Sequence, residues 1–424
     1  MSIISVSPPV IVRLGSTEAK KEGTPVKLRI AALVALIVCS QAFALAAPSE
    51  AKGVTLFRVG SRTCVLNGAE QKMDVAPYIK NGRVYVPLRF VAAAAGIGGP
   101  NVVWNGARRT VNLTGENRTV KLAVGSKKAV VNSATVMMDV APEITNYRIM
   151  LPLRWVIELL DLQVVWDGPK QTAVVSKKVR AVPALDYPAS VDAVYRDYEW
   201  EYGSYAYSWH VAMPADLLKW SRDAAGTVRA FYEADGETQA AMLSAMGEDA
   251  KILVRSVSSE NLGDYSPWVK EKANYAYAGS LAERLSAAAR GQGYNRFRTA
   301  ELVLSFVATA IPYERRKTAQ LPAQTLIDDG DCDCKSVLLA AVLKNMGYRV
   351  ALLKFPFISA EAEDHMAVGI EFDERELPID RRVVYFSKDG VKYYIAEAAG
   401  PGFWPLGETD PVTLQRQAYT FPVD

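Results

Sequence analysis

The sequence feature that most constrains the fold is an internal repeat in the first half of the chain. Three segments occur twice. MDVAP at 73–77 returns at 138–142, and VPLRF at 86–90 returns as LPLRW at 151–155, both at an offset of 65 residues. VVWNG at 102–106 returns as VVWDG at 164–168, at an offset of 62 residues. Segments that return in the same order indicate one structural unit used twice. Two copies are therefore predicted to span residues 54–177.

Each copy predicts the same order of elements. In the first, a β-rich run ends at Pro87, a residue suited to the first position of a helix because its missing N–H costs nothing there. The helix is expected over 88–95, and a hairpin over 102–113 turns at Asn105-Gly106, a dipeptide that favours a type I′ turn. The second copy repeats this at Pro152, 153–160 and Asp167-Gly168.

These repeats resemble the copper amine oxidase amino-terminal-like domain through the pattern DVAP…VPLR…VVWNG, which occurs in both copies. The resemblance implies a stalk or adhesion module that binds a component of the cell envelope. Residues 54–177 contain no histidine, so we expect no copper site. Arg89 and Arg154 occupy matching places, and we expect each to bond a helix or turn carbonyl; ligand binding is the alternative.

The first 46 residues have the pattern of a leader and signal peptide. Lys27 and Arg29 precede an apolar run over 30–45, which ends in the Ala-Leu-Ala of 44–46. A cleaved signal peptide predicts a secreted or cell-envelope protein. The alternative is an uncleaved segment that holds the protein in the membrane.

Charge and cysteine usage exclude several classes of protein. Removing residues 1–46 takes five basic and two acidic residues from the 49 and 46 of the full chain, which leaves 44 of each. A neutral chain lacks the basic surface of a nucleic-acid-binding protein. The cysteines that remain, Cys64, Cys332 and Cys334, are odd in number and do not predict a disulfide framework. Cys-x-Cys is not the usual zinc spacing, so no metal or other cofactor is expected.

An aromatic segment and a helical region follow the repeats. Residues 198–209 place an aromatic side chain at alternate positions on both sides of Gly203-Ser204, which predicts a hairpin with one aromatic face. We expect this face to pack on helices behind it; a platform for sugar rings is the alternative. His210, at its edge, is interpreted as structural. Helical periodicity then covers 214–310.

The stretch 330–339, GDCDCKSVLL, carries the candidate nucleophile. Cys332 opens an apolar helix that is expected to end near Met346, before Gly347. A thiol in the first turn of a helix feels the helix dipole and unpaired N–H groups, which favour the thiolate. Cys334 is two positions further along the helix and points away from the face that Cys332 occupies.

A histidine and an acid follow the cysteine in separate predicted strands. His365 is the second residue of the strand-like segment 364–370, and Glu397 directly follows the segment 391–396, which comes after the turn at Asp389-Gly390. The order of cysteine, histidine and acid predicts a nucleophile, its base and the group that orients the base. Asp364 is the competing acid, and the weaker one because neighbours in a strand point to opposite faces.

This part of the chain resembles the transglutaminase-like (papain-like cysteine peptidase) superfamily. The matching motifs are FVATAIPY at 306–313, LPAQTL at 321–326, GDCDCKSVLLAAVLKNMGYRV at 330–350, DHMAVGIEF at 364–372 and YYIAEAAGPGFWPLGE at 393–408. The resemblance is nearest to a bacterial and archaeal branch. It implies Cys332 as nucleophile, His365 as base and Glu397 as the acid, which is usually Asp in the wider superfamily. Cys334 stands where Glu or Asp commonly follows.

The predicted fold class is α+β. The predicted organisation is a leader over 1–46, the repeat domain over 54–177 and a transglutaminase-like domain over 190–424. Within the last, 190–299 forms the aromatic hairpin and helical lead-in, and 300–408 forms the catalytic core.

The expected function is that of an exported cysteine-dependent hydrolase or acyltransferase acting on amide bonds of a protein or peptide, with cell-wall peptide as one candidate. Hydrolysis, as by a peptidase or amidase, is preferred to cross-linking with an amine. The alternative is a non-catalytic cell-surface binding module that keeps the fold and acts through its repeats. A metal-dependent oxidase is disfavoured because the chain has only two histidines.

Overall fold

A computed structural model describes residues 53–116, 118–258, 263–356, 364–379, 381–400 and 402–424. The predicted leader and signal peptide over 1–46 lies outside these residues. Helices and mainly antiparallel sheets make up the described chain, so the predicted α+β class is confirmed. Within the described ranges, no helix combines the length and apolar content that a membrane span requires.

The repeat region contains the same elements twice, in the same order. The first copy consists of β1 Val54–Arg58, β2 Thr63–Leu66, β3 Ala69–Lys72, β4 Tyr78–Lys80, β5 Arg83–Pro87, α1 Leu88–Ala94, β6 Val102–Asn105 and β7 Thr110–Thr114. The second copy consists of β8 Thr119–Ala123, β9 Lys128–Val131, β10 Ala134–Met137, β11 Glu143–Thr145, β12 Arg148–Pro152, α2 Leu153–Leu159, β13 Gln163–Asp167 and β14 Thr172–Ser176. The predicted helices and hairpins are present in both.

Two local details of the repeats differ from the prediction. Pro87 and Pro152 are the caps that precede each helix rather than its first residue. The β6–β7 turn is a four-residue loop in which Arg109 has φ 51° and the Asn105 side chain accepts from the Arg108 N–H at 2.9 Å. The predicted type I′ turn at Asn105-Gly106 is wrong, because this type needs positive φ at both central residues and Gly106 does not have it.

The two copies are intertwined. One five-stranded sheet has the order β13-β14-β1-β2-β3 and another the order β10-β9-β8-β7-β6, so each joins three strands from the start of one copy to two from the end of the other. In a third sheet, β11-β12-β5-β4, the central strands pair Val86 with Leu151, which are equivalent positions of the two copies. Neither copy therefore completes its own sheets.

Ion pairs between the copies follow the same exchange. Arg83 of the first copy bonds Asp139 of the second at 2.5 Å, and the equivalent Arg148 of the second bonds Asp74 of the first. The expectation that Arg89 bonds a carbonyl is wrong, because its guanidinium pairs with Asp74 at 3.1 Å. Among the described residues, Arg154 has no carbonyl partner.

The described residues after the repeats form eight strands on either side of a helical region. The elements before the cysteine helix are β15 Lys178–Ala181, β16 Ala193–Tyr202, β17 Tyr205–Pro214, α3 Ala215–Glu233, α4 Gly236–Ala245, α5 Glu248–Ser256, α6 Ser266–Val269, α7 Lys272–Gly291, α8 Arg296–Ala310 and α9 Pro322–Ile327. Those that follow are α10 Cys332–Asn345, β18 Val350–Phe355, β19 His365–Ile370, β20 Tyr385–Lys388, β21 Val391–Ala396 and β22 Tyr419–Pro422.

The aromatic segment forms the predicted hairpin, turning at Gly203-Ser204 between the paired Tyr202 and Tyr205. Trp200 and Trp209 are buried and surround Phe306 of α8, with ring centroids 5.0 and 5.1 Å away. The packing interpretation is therefore confirmed, and these rings are not an exposed platform for sugars. Part of the stretch between the repeats and the hairpin is also ordered, since β15 pairs in parallel with β17.

Helix α10 lies at the centre of the C-terminal core. Its residues from Cys334 to Leu343 are all buried, and α7, α8 and α9 pack around it. It also packs against α6 and against β18 and β19 of the antiparallel sheet β20-β21-β19-β18-β22. The Ser336 hydroxyl donates to the Met366 carbonyl at 3.2 Å, which fixes the second turn of α10 against the start of β19.

Candidate active site

Cys332 is the first residue of α10, as predicted. Asp331 caps the helix, and its Oδ1 accepts from the Cys334 N–H at 3.4 Å. Gly330 allows this tight entry, because a Cβ at that position would lie 2.5 Å from the Cys334 Cβ. Cys332 is half-buried whereas Cys334 is fully buried, and Cys64, Cys332 and Cys334 are all free thiols. Cys332 is thus the more accessible thiol of this helix.

His365 and Glu397 are in direct contact. The Nε2 of His365 lies 2.6 Å from the Glu397 Oε2, across the paired strands β19 and β21. Glu397 is 2% exposed and its Oε1 also accepts from the Ala399 N–H at 3.0 Å. The competing acid, Asp364, is exposed. With Nε2 engaged by the carboxylate, Nδ1 is the ring nitrogen available to act as a base.

The surroundings of His365 hold its ring and favour its charged form. The ring stacks on Phe355 at a centroid distance of 5.9 Å, and Arg416 donates to the Phe355 carbonyl at 2.7 Å. Burial opposes protonation, but the hydrogen bond and charge of Glu397, with the charge of Asp410, outweigh it and raise the pKa of His365 above 6.5. An imidazolium is therefore stabilised at this position.

The electrostatics around Cys332 oppose the thiolate that the helix start was expected to favour. Burial raises the pKa of the Cys332 thiol well above its usual range, the charges of Asp333 and Asp331 raise it further, and the Met366 N–H opposes them. The nearest of these carboxylates is in hydrogen-bond range, with Cys332 Sγ 3.6 Å from Asp333 Oδ1. Carboxylates beside the thiol were not considered in the sequence-based expectation, and they favour the protonated form.

Asp333 is itself perturbed by this arrangement. Burial and the nearby charge of Asp331 raise the pKa of Asp333 to about 6, although Lys354 and the thiol of Cys332 oppose the shift. Sequence reasoning did not select Asp333 or Lys354. The only sequence signal for Asp333 was its position directly after the cysteine. Lys354 lies on β18, 22 residues beyond Cys332 in the sequence.

Two tyrosines also adjoin the thiol and were missed. Burial, together with the charges of Asp333 and Cys334, raises the pKa of Tyr265 well above its usual range. Burial and the charge of Cys332 raise the pKa of Tyr313 to about 12. Tyr313 is 45% exposed, so this ring is accessible to a molecule approaching Cys332.

A buried lysine lies one turn beyond the cysteine. Lys335 is 1% exposed, and its Nζ donates to the Ala308 carbonyl at 3.1 Å. Burial lowers the pKa of Lys335 to about 8, and the charge of Glu397 opposes this shift. Lys335 is thus a cation behind the site that interacts with the buried carboxylate.

The three predicted site residues come from the helix start and from two adjacent strands, but only two of them are directly bonded. Cys332 approaches β19 at the N–H of Met366, the residue next to His365. Among the described residues, no hydrogen bond joins Cys332 to His365. In unliganded enzymes such bonds are often long and tighten only when substrate binds.

The second histidine of the chain also bonds a carboxylate. His210 Nδ1 lies 2.6 Å from Asp197 Oδ1, directly across the β16–β17 hairpin, and its ring stacks on Tyr195 at 5.5 Å. Both side chains are exposed, at 43% for His210 and 81% for Asp197. No cluster of three metal-ligating side chains occurs in the part of the chain that the structure describes.

The fold and the site define a two-part α+β protein, with an intertwined repeat unit and a cysteine helix packed on an antiparallel sheet. The family found to match is the copper amine oxidase N-terminal domain, over residues 50–98 and 65–175. The repeat region is therefore similar to that domain, as predicted. No curated protein and no solved structure matches the chain.

The copper in the name of this family does not fit the residues present. Copper sites in proteins are built from imidazole and soft sulfur ligands, and residues 54–177 contain no histidine. Their one cysteine, Cys64, is buried and donates to the Gln71 carbonyl at 3.5 Å. The repeat region therefore offers neither an imidazole nor an accessible thiolate, and no chemistry is assigned to a metal there.

Proposed function

We propose that this protein is an exported, cell-envelope, cysteine-dependent hydrolase or acyltransferase that acts on amide bonds through Cys332, His365 and Glu397. The observation that carries the proposal is the buried bond of 2.6 Å between His365 and Glu397, adjacent to the helix that Cys332 opens. The transglutaminase-like resemblance of residues 300–408 supports the same three residues in the same roles. The localisation rests on the signal-peptide pattern and on the resemblance of the repeats to an envelope module.

The first chemical step is a proton transfer followed by attack. Nδ1 of His365 takes the proton of the Cys332 thiol, and the sulfur forms a bond to the carbonyl carbon of the substrate amide. The imidazolium then gives its proton to the departing amine as the C–N bond breaks, which leaves a thioester on Cys332. Glu397 keeps Nε2 protonated and stabilises the charge that the ring carries between the two transfers.

The helix start supplies groups that stabilise the developing oxyanion. The N–H groups in the first turn of a helix have no acceptor within the helix, and that of Cys332 is one of them. When the sulfur attacks the carbonyl carbon, the negative charge develops on the carbonyl oxygen of the substrate. That oxygen lies near the positive end of the α10 dipole, which stabilises the charge. Water that attacks the thioester gives a peptidase or amidase, and a primary amine gives a cross-linked product; hydrolysis is the preferred outcome.

The acids around the thiol favour a second candidate, a non-catalytic surface module that keeps this fold. Burial and the charges of Asp333 and Asp331 raise the pKa of Cys332, so the thiol stays protonated unless the imidazole reaches it. In this candidate the intertwined repeats carry the function by binding an envelope component. The two candidates differ in whether Cys332 forms a covalent intermediate.

The test is incubation of the purified chain with cell-wall peptides and a primary amine, followed by mass spectrometry of the products. We expect cleaved peptide or an amine adduct. We also expect a thioester on Cys332 or the products of its hydrolysis, and all of these should depend on Cys332. Cys332→Ser is the inactive variant and Cys334→Ser the matched control, because both substitutions remove a thiol from the first turn of α10. Products that form equally in Cys332→Ser would contradict the proposal.

A further inference from the structure

A cationic cleft lies between α3 and the loop that follows α8. It has a volume of about 490 Å³, and five of its lining side chains are positively charged: Arg222, Arg229, Arg315, Arg316 and Lys317. The five are exposed, and Ala225 and Gly226 of α3 leave space between them. Sequence reasoning assigned no role to this group of residues.

The cleft adjoins the cysteine. The loop that carries Arg315 and Arg316 runs parallel to the segment before α10, with Tyr313 paired to Gly330. The Arg316 N–H donates to Asp331 Oδ2 at 2.9 Å, and Asp331 is the cap of the cysteine helix. The pKa of Tyr313 responds to the charges of both Cys332 and Arg315, so the tyrosine lies near both the thiol and the cleft.

Arg222, Arg316 and Lys317 each have an acidic partner. Arg222 bonds Asp328 at 3.1 Å through Nε, Arg316 bonds Asp329 at 2.7 Å through Nε, and Lys317 lies 3.7 Å from Glu233. These pairs are partly exposed, so each contributes about 1 kcal/mol or less and can be shared with an anion. Among the described residues, Arg229 has no ion-pair partner.

The cleft also contains a buried acceptor. Gln324 of α9 lines it, and the Oε1 of this side chain is buried with no hydrogen-bond partner in the described part of the chain. An unpaired buried acceptor favours a ligand that brings an N–H group. Arginine side chains favour a planar carboxylate, which they can bind through two parallel hydrogen bonds. A peptide with a free carboxylate provides both groups, whereas a phosphate provides only the negative charge.

We propose that this cleft binds a carboxylate of the peptide whose amide reaches Cys332. The inference rests on the proposed function and adds the substrate class, an acidic peptide. The carboxylate belongs either to an Asp or Glu side chain or to the C-terminus of the peptide, since both present the same group to the arginines. Tyr313 lies against the chain that connects the carboxylate to the reacting amide.

The first experiment compares two reagents that alkylate the same thiol, iodoacetate and iodoacetamide, on the full chain. A cleft that attracts carboxylates raises the rate for the anion only, and the effect weakens with salt. The double variant Arg229→Gln/Arg315→Gln is expected to lower the iodoacetate rate at Cys332 roughly threefold or more, with the iodoacetamide rate nearly unchanged. Arg290→Gln, an exposed arginine at the end of α7, is the control and keeps both rates.

An unchanged ratio of the two rates in the double variant would overturn the inference. The same experiment separates this failure from failure of the proposed function. If Cys332 reacts with both reagents no faster than a free cysteine, the nucleophile is not activated and the proposed function fails. The ratio of the iodoacetate rate to the iodoacetamide rate still tests the cleft in that case.

The second experiment measures peptide binding to the full chain carrying Cys332→Ser. Synthetic peptides that differ only by Glu against Gln, or by a C-terminal acid against a C-terminal amide, identify which carboxylate is bound. We expect about fivefold or greater preference for one of the acids. This preference should be lost in the triple variant Cys332→Ser/Arg229→Gln/Arg315→Gln. No preference for either acid, or binding of inorganic phosphate as tight as that of the peptide, would contradict the inference.

Discussion

The two histidines of the chain form bonds of the same length to a carboxylate in very different surroundings. His210 and Asp197 are joined at 2.6 Å across an exposed hairpin, and His365 and Glu397 are joined at 2.6 Å inside the C-terminal domain. The side chain of Asp197 is 81% exposed, and the side chain of Glu397 is 3% exposed. Only the second pair is adjacent to a thiol at a helix start.

The comparison teaches that a short bond between a histidine and an acid does not by itself indicate a functional site. In water both partners of the first pair can exchange their bond for bonds to solvent, so the pair contributes little. In the second pair burial removes that exchange, and loss of one partner leaves the other unsatisfied. Matched substitutions in the two pairs separate the effect of burial from that of bond length.

The largest expected difference is in activity. His365→Ala is expected to reduce amide cleavage or transfer about 10³-fold or more, because no other group on β19 can take the thiol proton. His210→Ala removes an equivalent ring and is expected to change the rate less than about twofold. Initial rates on a peptide amide test this. Equal losses in the two variants would show that the buried pair has no special role.

The next difference is in stability. Glu397→Gln replaces the buried carboxylate by a group of the same size, and we expect it to lower the free energy of unfolding by about 2–4 kcal/mol. Asp197→Asn makes the same change in the exposed pair and is expected to cost less than about 1 kcal/mol. Urea denaturation followed by fluorescence measures both values. If the two costs agree, burial of the second pair contributes nothing.

Above about pH 6.5, the pH dependence of stability should reflect His365 of the buried pair. The folded pKa of His365 is raised above 6.5, so protonation favours the folded state. This contribution is complete below about pH 6.5 and is lost as the pH rises through the folded pKa. Denaturation at a series of pH values should show the decline in the wild type and in His210→Asn. A decline that persists in His365→Asn would contradict the assignment.

The smallest effect concerns the carboxyl beside the thiol. The pKa of Asp333 is about 6 in the folded protein against a usual 3.8, so ionisation of this group destabilises the fold between these pH values. Asp333→Asn is therefore expected to stabilise the protein at pH 7 by about 1–2 kcal/mol and to remove the change in stability between pH 4 and 6. Asp364→Asn, an exposed acid near the same site, is the control. A destabilised Asp333→Asn would indicate that its charge is needed.

Much of the architecture could be predicted from the sequence because it follows from local chemistry. The strand Val391–Ala396 and its turn at Asp389-Gly390 were predicted correctly, and both turn residues have positive φ, at 50° and 80°. The dipeptide Asn105-Gly106 carries the same signal but lies in a longer loop. There the Asn105 side chain accepts from the Arg108 N–H, which favours a different turn. The length of the loop, which depends on how the flanking strands pair, determines which type of turn forms at each dipeptide.

The exchange of strands between the repeats could not be predicted from the repeat itself. An offset of 65 residues indicates two equal units, but it does not indicate which β-strand pairs with which. The pairing of β1 with β14 joins residues more than 110 positions apart, and it buries apolar residues of both copies in one core. Such pairing depends on the packing of the whole domain.

The candidate site was predictable in its order but not in its electrostatics. The spacing placed Cys332 on the correct helix, His365 on the correct strand and Glu397 directly after β21, and the bond of His365 to Glu397 agrees with the predicted partner. The effect of Asp331 and Asp333 on the thiol depends on their three-dimensional distances and on burial. Helix position alone therefore gave the wrong direction for the pKa of Cys332.

The central claim is that His365 activates Cys332, and the rate of thiol alkylation measures this directly. Iodoacetamide is applied to the wild type, His365→Ala and His210→Ala between pH 5 and 9, and the modified residue is identified by mass spectrometry. Near pH 7 we expect Cys332 to react about tenfold or more faster than a free cysteine, and only His365→Ala should abolish this advantage. If Cys332 reacts no faster than a free cysteine and His365→Ala changes nothing, the enzyme proposal is contradicted.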